Sequence, residues 1–144
     1  MTRALVLVAL SLAVLSAGAC GGGGDERGPR DQDVIASLQD GGLKLVGPTF
    51  EPVGPLGVAS TAYRIGEDEV HLYRFPSDER AREAAAGIAA DGYMIVTKSG
   101  AVQADWSAPP HWFRAGREIV LFLGTDEDVL DALEDAAGPQ FAGA

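Results

Sequence analysis

A single cysteine, at position 20, constrains most strongly how this chain of 144 residues can fold. The cysteine ends an apolar run, and no other thiol follows it in residues 21–144. Those residues therefore cannot form a disulfide, a zinc–thiolate site or a cysteine nucleophile. Their fold has to be stabilised by its own hydrophobic core, and a hydrophobic content of 47% for the chain makes such a core possible.

The residues before this cysteine have the order of an export signal. Arg3 stands beside the amino terminus, residues 4–15 are apolar with one serine, and small residues lead up to Cys20. The whole run from 4 to 19 is shorter than the roughly 20 residues that a helix needs to cross a bilayer core. We therefore predict a cleavable signal peptide at 1–19 rather than a membrane-spanning helix.

Gly18, Ala19 and Cys20 resemble the junction of a bacterial lipoprotein signal, which usually reads Leu, two small residues and Cys. Ala17 stands where the leucine is usual, and Leu15 lies two residues earlier. The resemblance implies cleavage before Cys20 and attachment of a diacylglyceryl group to its sulfur, usually with an amide-linked acyl chain as well. Lipid would then hold an extracytoplasmic domain at the cell membrane or outer membrane. Secretion with a spectator cysteine and an uncleaved signal anchor are the alternatives.

A glycine-rich segment with many charges follows the cysteine and predicts a flexible tether at 20–30. The remaining residues, 31–144, are enough for a single domain. The formal charge of the chain is −10, and an acidic protein repels phosphate backbones. We therefore expect no nucleic acid as a partner. The expected partner is the membrane, which the protein would contact through its lipid.

Hydrophobic periodicity and turn residues predict an α+β fold. Helices are predicted to begin at Asp31 or Asp33, at Ser77 and at Thr125, and to end before Gly41, Gly92 and Gly138. Strands are predicted over 43–46, 58–65, 70–75, 93–98, 101–106, 111–114 and 117–123, with a proline-rich loop at 47–57. We expect an antiparallel sheet of about five to seven strands with three helices that mainly cover one face. The other face would be polar or would meet a partner.

The stretch 106–117 is the most distinctive part of the body and the best candidate for a partner-binding site. Adjacent prolines favour an extended, rigid segment, and tryptophan with arginine is a mixture enriched at binding hot spots. The candidate residues are Trp106, Pro109, Pro110, His111, Trp112, Arg114 and Arg117. In the alternative interpretation the tryptophans fill the core and the arginines pair with acids such as Asp105 and Glu118. From Trp106 to the C terminus the chain also resembles a segment of small bacterial lipoproteins of unassigned function, which implies no catalytic residues.

Sequence motifs of enzymes are lacking in the body, which has no Gly-x-Ser-x-Gly elbow, phosphate loop, dinucleotide fingerprint or His-Glu-x-x-His site. The acidic turn Gly66–Glu69 lacks the ligand spacing of a calcium loop, and we predict no metal or cofactor. We expect a non-enzymatic domain that binds an envelope protein or a cell-wall component. One alternative is a small-ligand carrier or sensor, which needs an apolar pocket of about 300 Å³ or more. A carboxylate-dependent hydrolase, with an acid pair in a cleft, is the other.

Mass spectrometry of the native protein tests the lipid anchor. We expect a product that begins at Cys20 and carries acyl chains on that residue. An unmodified thiol on a chain that still begins at Met1 would contradict the prediction.

Overall fold

The computed structural model describes residues 33–144, so the predicted signal peptide, Cys20 and the predicted tether lie outside the described residues. The elements in chain order are α1 (Val34–Asp40), β1 (Val46–Glu51), β2 (Ser60–Ile65), β3 (Asp68–Arg74), α2 (Asp78–Ala86), β4 (Met94–Thr97), β5 (Gly100–Gln103), β6 (Pro110–Ala115), β7 (Glu118–Leu123), α3 (Glu127–Ala137) and β8 (Ala142–Gly143). The predicted α+β class is confirmed.

Six strands form one sheet in the order β1-β2-β3-β7-β6-β8, and every neighbouring pair is antiparallel. The strands β4 and β5 form a separate hairpin. Strand β7 lies inside the large sheet, where Leu121 faces His71 of β3 on one side and Trp112 of β6 on the other. All six of its residues are buried, as expected for a strand with an apolar run and covered faces.

Each face of the large sheet has its own hydrophobic core. Helices α1 and α3 cover one face, which we call the helix-pair face, and the buried residues there include Val34, Leu38, Phe113, Val129 and Leu133. Helix α2 and the β4–β5 hairpin cover the other, which we call the cleft face, and its core includes Tyr73, Phe75, Ala81, Ile95 and Trp112. Two of the three helices thus share a face. The expectation that the second face is polar or meets a partner is wrong, because α2 and the hairpin pack on it.

Two predicted boundaries change for local reasons. The predicted strand 43–46 is wrong apart from Val46, because β1 runs from Val46 to Glu51 and lies mostly in the predicted loop 47–57. A strand containing Pro48 is tolerated there because β1 is an edge strand. Helix α2 ends at Ala86 instead of continuing to Asp91. Beyond it the backbone pairs with β4, since the Ala89 N–H donates to the Met94 carbonyl at 2.9 Å. This pairing satisfies backbone groups after Ala86 in an extended conformation, which a helix that continued to Asp91 would exclude.

The N-cap of α3 is also shifted by one residue. The Asp126 side chain, instead of the predicted Thr125, accepts hydrogen bonds from the backbone N–H groups of Asp128 and Val129. A carboxylate at the N-cap interacts favourably with the positive end of the helix dipole as well as with the free N–H groups. The acidic residue therefore takes the position.

Gly92 joins the two tryptophans on the cleft face. Its carbonyl oxygen accepts hydrogen bonds from the indole N–H of Trp106 at 3.0 Å and of Trp112 at 3.1 Å. The indole rings meet edge to face with centroids 5.9 Å apart, a favourable geometry for aromatic pairs. Gly92 has φ +76°, and a Cβ at this position would lie 3.0 Å from the Trp112 ring. Both the backbone conformation and the space therefore favour glycine.

We expect Gly92→Ala to lower the free energy of unfolding by more than Gly66→Ala does. Gly66 also has a positive φ, of +63°, but no atom lies within 4 Å of its would-be Cβ, so this variant reports the backbone cost alone. That cost is about 1 kcal/mol, and the contact with the indole at Gly92 adds roughly 1–3 kcal/mol. Chemical denaturation of both variants measures the difference, and equal losses would contradict the packing argument.

Candidate functional site

A concave site of about 560 Å³ lies on the cleft face, and we call it the cleft. Four separate segments form its walls: the loop after β1, the end of β3, one side of α2 and the turn of the β4–β5 hairpin. The lining residues are Leu56, Gly57, Val58, Phe75, Pro76, Arg80, Glu83, Ala84, Val96, Thr97, Lys98 and Ser99. A volume of this size is typical of small-molecule sites.

Backbone hydrogen bonds fix the walls of the cleft. In the loop, the Gly54 N–H donates to the Val58 carbonyl at 2.9 Å, and the Gly57 N–H donates to the Gly54 carbonyl at 3.0 Å. The hairpin is held to the end of α2 because the Val96 N–H donates to the Gly87 carbonyl at 2.8 Å. The loop is therefore closed by its own hydrogen bonds, and the hairpin is joined to the end of α2.

The inner part of the cleft is apolar. Leu56 and Phe75 are 7% and 6% exposed and belong to the core cluster of this face, whereas Val96 is 55% exposed. The apolar residue that α2 contributes to the cleft is Ala84, whose small side chain leaves the space open. An exposed valine at the edge of a buried apolar floor is a surface that gains free energy when an apolar ligand covers it.

Charged groups stand at the rim. The Arg80 guanidinium and the Glu83 carboxylate form an ion pair at 2.9 Å. Lys98 is exposed and forms no ion pair with any residue from 33 to 144. Thr97 and Ser99 place hydroxyl groups on either side of this lysine in the chain. The lining as a whole therefore carries one excess positive charge.

The predicted partner-binding stretch 106–117 does not form one exposed surface. Trp112 is fully buried, Trp106 is half-buried, and both indole N–H groups are bound to the Gly92 carbonyl. Pro110 is buried, and Pro109, which is half-buried, accepts a hydrogen bond from the Gly124 N–H. The tryptophans thus follow the alternative interpretation, in which they fill the core.

The other members of that stretch are separated by the alternation of strand β6. His111 lies on the helix-pair face, where its Nδ1 is 2.9 Å from Gln140 Oε1. Arg114 lies on the cleft face and donates to Asp78 Oδ1 at 2.6 Å, while Arg117 is exposed in the following turn region. The acid that pairs with Arg114 is Asp78, neither Asp105 nor Glu118. The partner of Arg114 thus comes from α2, an element distant in the sequence, and not from a neighbouring acid.

Glu118 and Arg74 belong to a second cavity, of about 380 Å³, on the helix-pair face. The two side chains face each other across β3 and β7, and the Arg74 Nε donates to Glu118 Oε1 at 2.7 Å. This hydrogen bond, with the carboxylate charge, raises the pKa of Arg74. The lining of this second cavity also includes Asp33. With three charged residues, this lining contrasts with the apolar floor of the cleft.

A polar cluster on the cleft face bears on the hydrolase hypothesis. His71 is buried, with Nε2 at 3.3 Å from Glu69 Oε2 and Nδ1 at 3.7 Å from Glu51 Oε2. The buried Nδ1 has no hydrogen-bond partner among residues 33–144. Ser60, which is 1% exposed, donates its hydroxyl to Glu51 at 2.8 Å instead of to the imidazole. The serine therefore contacts a carboxylate and not the imidazole, it is closed off from solution, and the cluster connects β1, β2 and β3.

Tyr73 stands beside this cluster, and its phenol is strongly perturbed. Burial raises the pKa of Tyr73, the nearby Glu51 charge raises it further, and the neighbouring Ser60 hydroxyl partly opposes both effects on this pKa. The uncharged phenol is thus the form that the folded protein stabilises.

Within residues 33–144, no three histidine, cysteine or carboxylate side chains come together in an arrangement that could hold a metal ion. No helix in the same part of the chain is both long enough and apolar enough to cross a membrane. No known protein family, curated protein or solved structure matches the chain.

Sequence reasoning did not identify the cleft, because its residues come from four segments that only the tertiary fold brings together. Two signals pointed toward it without defining it. The proline-rich loop 47–57 was long enough to be functional, and it supplies Leu56 and Gly57. Helix α2 is rich in alanine, whose small side chain permits a close approach to the sheet, and Ala84 is the alanine that lines the cleft.

Replacing Tyr73 with phenylalanine should reduce the loss of stability at high pH. Since the folded pKa lies above the unfolded value of about 10, the stabilisation is complete below pH 10 and is lost as the pH rises beyond it. The wild type should lose about 1.4 kcal/mol more per pH unit above 10 than Tyr73→Phe does. Denaturation series from pH 9 to 11.5 measure the two slopes, and parallel slopes would contradict the assignment.

Proposed function

We propose that this protein is a lipid-anchored envelope protein whose domain binds a small apolar or amphipathic molecule. The observation that carries the proposal is the cleft of about 560 Å³ with its apolar floor. Its volume exceeds the roughly 300 Å³ that a small-ligand site requires. The buried floor and the exposed Val96 together provide surface that a ligand can cover.

The location in this proposal is supported by the sequence. The apolar run before Cys20, the small residues Gly18 and Ala19, and the lack of any other cysteine are the features of a lipid attachment site. Acyl chains on that sulfur would hold the domain at a membrane because each buried CH₂ contributes about 0.8 kcal/mol. The glycine-rich tether would then place the cleft near the lipid surface.

Binding of a protein or a cell-wall component through the stretch 106–117 has less support. Trp112, one of the candidate binding residues, is fully buried, and Arg114, another, is paired with Asp78. Hot-spot residues act by becoming buried on association, and a side chain that is already buried cannot do so. The binding surface in this proposal is therefore the cleft.

Filling the cleft should abolish the binding of an apolar probe. In a protein of residues 20–144 with Cys20→Ser, we expect N-phenyl-1-naphthylamine, an uncharged dye, to bind with increased fluorescence. All core residues of both faces lie within this segment. Ala84→Phe should weaken binding about tenfold or more, because the added ring occupies the apolar space.

The matched control is Ala86→Phe, on the exposed side of the same helix, which should bind the dye within about twofold of the wild type. Circular dichroism and thermal denaturation verify that both variants are folded. Equal affinities of folded Ala84→Phe and Ala86→Phe, or no binding by the wild type, would overturn the proposal.

A further inference from the structure

We propose that the molecule bound in the cleft is an amphiphile with one anionic head group, which Lys98 recognises while the apolar part lies on the floor. This inference rests on the proposed function and specifies the class of ligand. It is carried by the juxtaposition of an apolar floor with an unpaired cation at the rim.

The floor accounts for the apolar part of the ligand. Leu56, Phe75 and Ala84 come from three separate segments of the chain and present carbon surface to one space. Val96 extends this surface outward and remains 55% exposed. A chain or ring that lies from the floor to Val96 would bury apolar area along its whole length and would leave its polar end at the mouth.

The mouth accounts for the sign of the head group. Arg80 is neutralised by Glu83 at 2.9 Å, which leaves Lys98 as the uncompensated charge of the lining. Other cations between residues 33 and 144 that lack an ion pair, namely Lys44, Arg64 and Arg117, line neither cavity. Lys98 is thus the unpaired cation that stands at an apolar site.

The acidic character of the whole protein makes this local charge informative. A chain with a formal charge of −10 repels anions in general, so anion binding requires a cation placed at the site. A lysine on a flexible stem, with three N–H donors, can follow a carboxylate, sulfonate or phosphate of variable position. In the same turn the Thr97 hydroxyl donates to the Gly100 carbonyl and accepts from the Ser99 N–H, both at 3.2 Å, so the hydroxyl group beside Lys98 that can serve a ligand is that of Ser99.

Two dyes that differ in charge test the inference. With the protein of residues 20–144 carrying Cys20→Ser, 8-anilinonaphthalene-1-sulfonate provides the anion and N-phenyl-1-naphthylamine the uncharged counterpart. Lys98→Glu should weaken the sulfonate dye about tenfold, and added salt should reduce its binding to the wild type. The uncharged dye should bind Lys98→Glu within about twofold of the wild type.

Lys44→Glu is the matched control, because it changes the net charge equally at an exposed lysine outside both cavities. It should leave the affinity for both dyes close to that of the wild type. Ala84→Phe should lose both dyes, which places them in the cleft. Dodecanoate should also displace the sulfonate dye from the wild type more effectively than dodecanol does, and Lys98→Glu should remove this difference.

The outcomes separate this inference from the proposed function. If the uncharged dye binds and is lost in Ala84→Phe, while Lys98→Glu binds the sulfonate dye like Lys44→Glu, the cleft is a ligand site and the anionic head group is wrong. An equal loss of both dyes in Lys98→Glu would also overturn the inference. If the wild type binds neither dye, the proposed function fails and the inference fails with it.

Discussion

Burial of strand β7 on both faces is the interaction on which the rest of the structure depends. Its side chains alternate between two cores, with Ile119 and Leu121 on the cleft face and Val120 and Phe122 on the helix-pair face. Because β7 pairs with β3 and β6 along its full length, it also fixes the register of both neighbours. The helices on the two faces bury their apolar side chains against this strand. Because residues 21–144 contain no cysteine and so no disulfide, the two hydrophobic cores supply the stability of the fold.

Local patterns predicted the elements well where a strand or helix carries its own signal. The continuous apolar residues of β7 and the serine cap of α2 lie as expected. The side of the sheet that α2 covers could not be predicted, since an apolar stripe shows that a helix is buried and not against which face. The pairing of residues 88–89 with β4 could not be predicted either, because it depends on a strand that follows later in the chain.

The candidate site shows the same division more sharply. Trp112 stands out in the sequence because it is large and aromatic, and Arg114 because it is charged. In the fold, however, Trp112 fills the core and Arg114 binds Asp78 on α2. Lys98 and Ala84 have no distinctive sequence context. They come to line one cleft only because the fold places the hairpin turn opposite α2. Residue type alone could therefore not separate structural from ligand-facing positions.

The two outer strands of the large sheet have a consequence for copies of the protein that stand close together. Strand β8 has only two residues, and β1 is interrupted between Val46 and Thr49, where Pro48 offers no N–H group. Neither border presents a long regular row of free donors and acceptors to a neighbouring molecule. The fold can thus expose Val46 and Phe50 near one border without providing the template for intermolecular sheet growth.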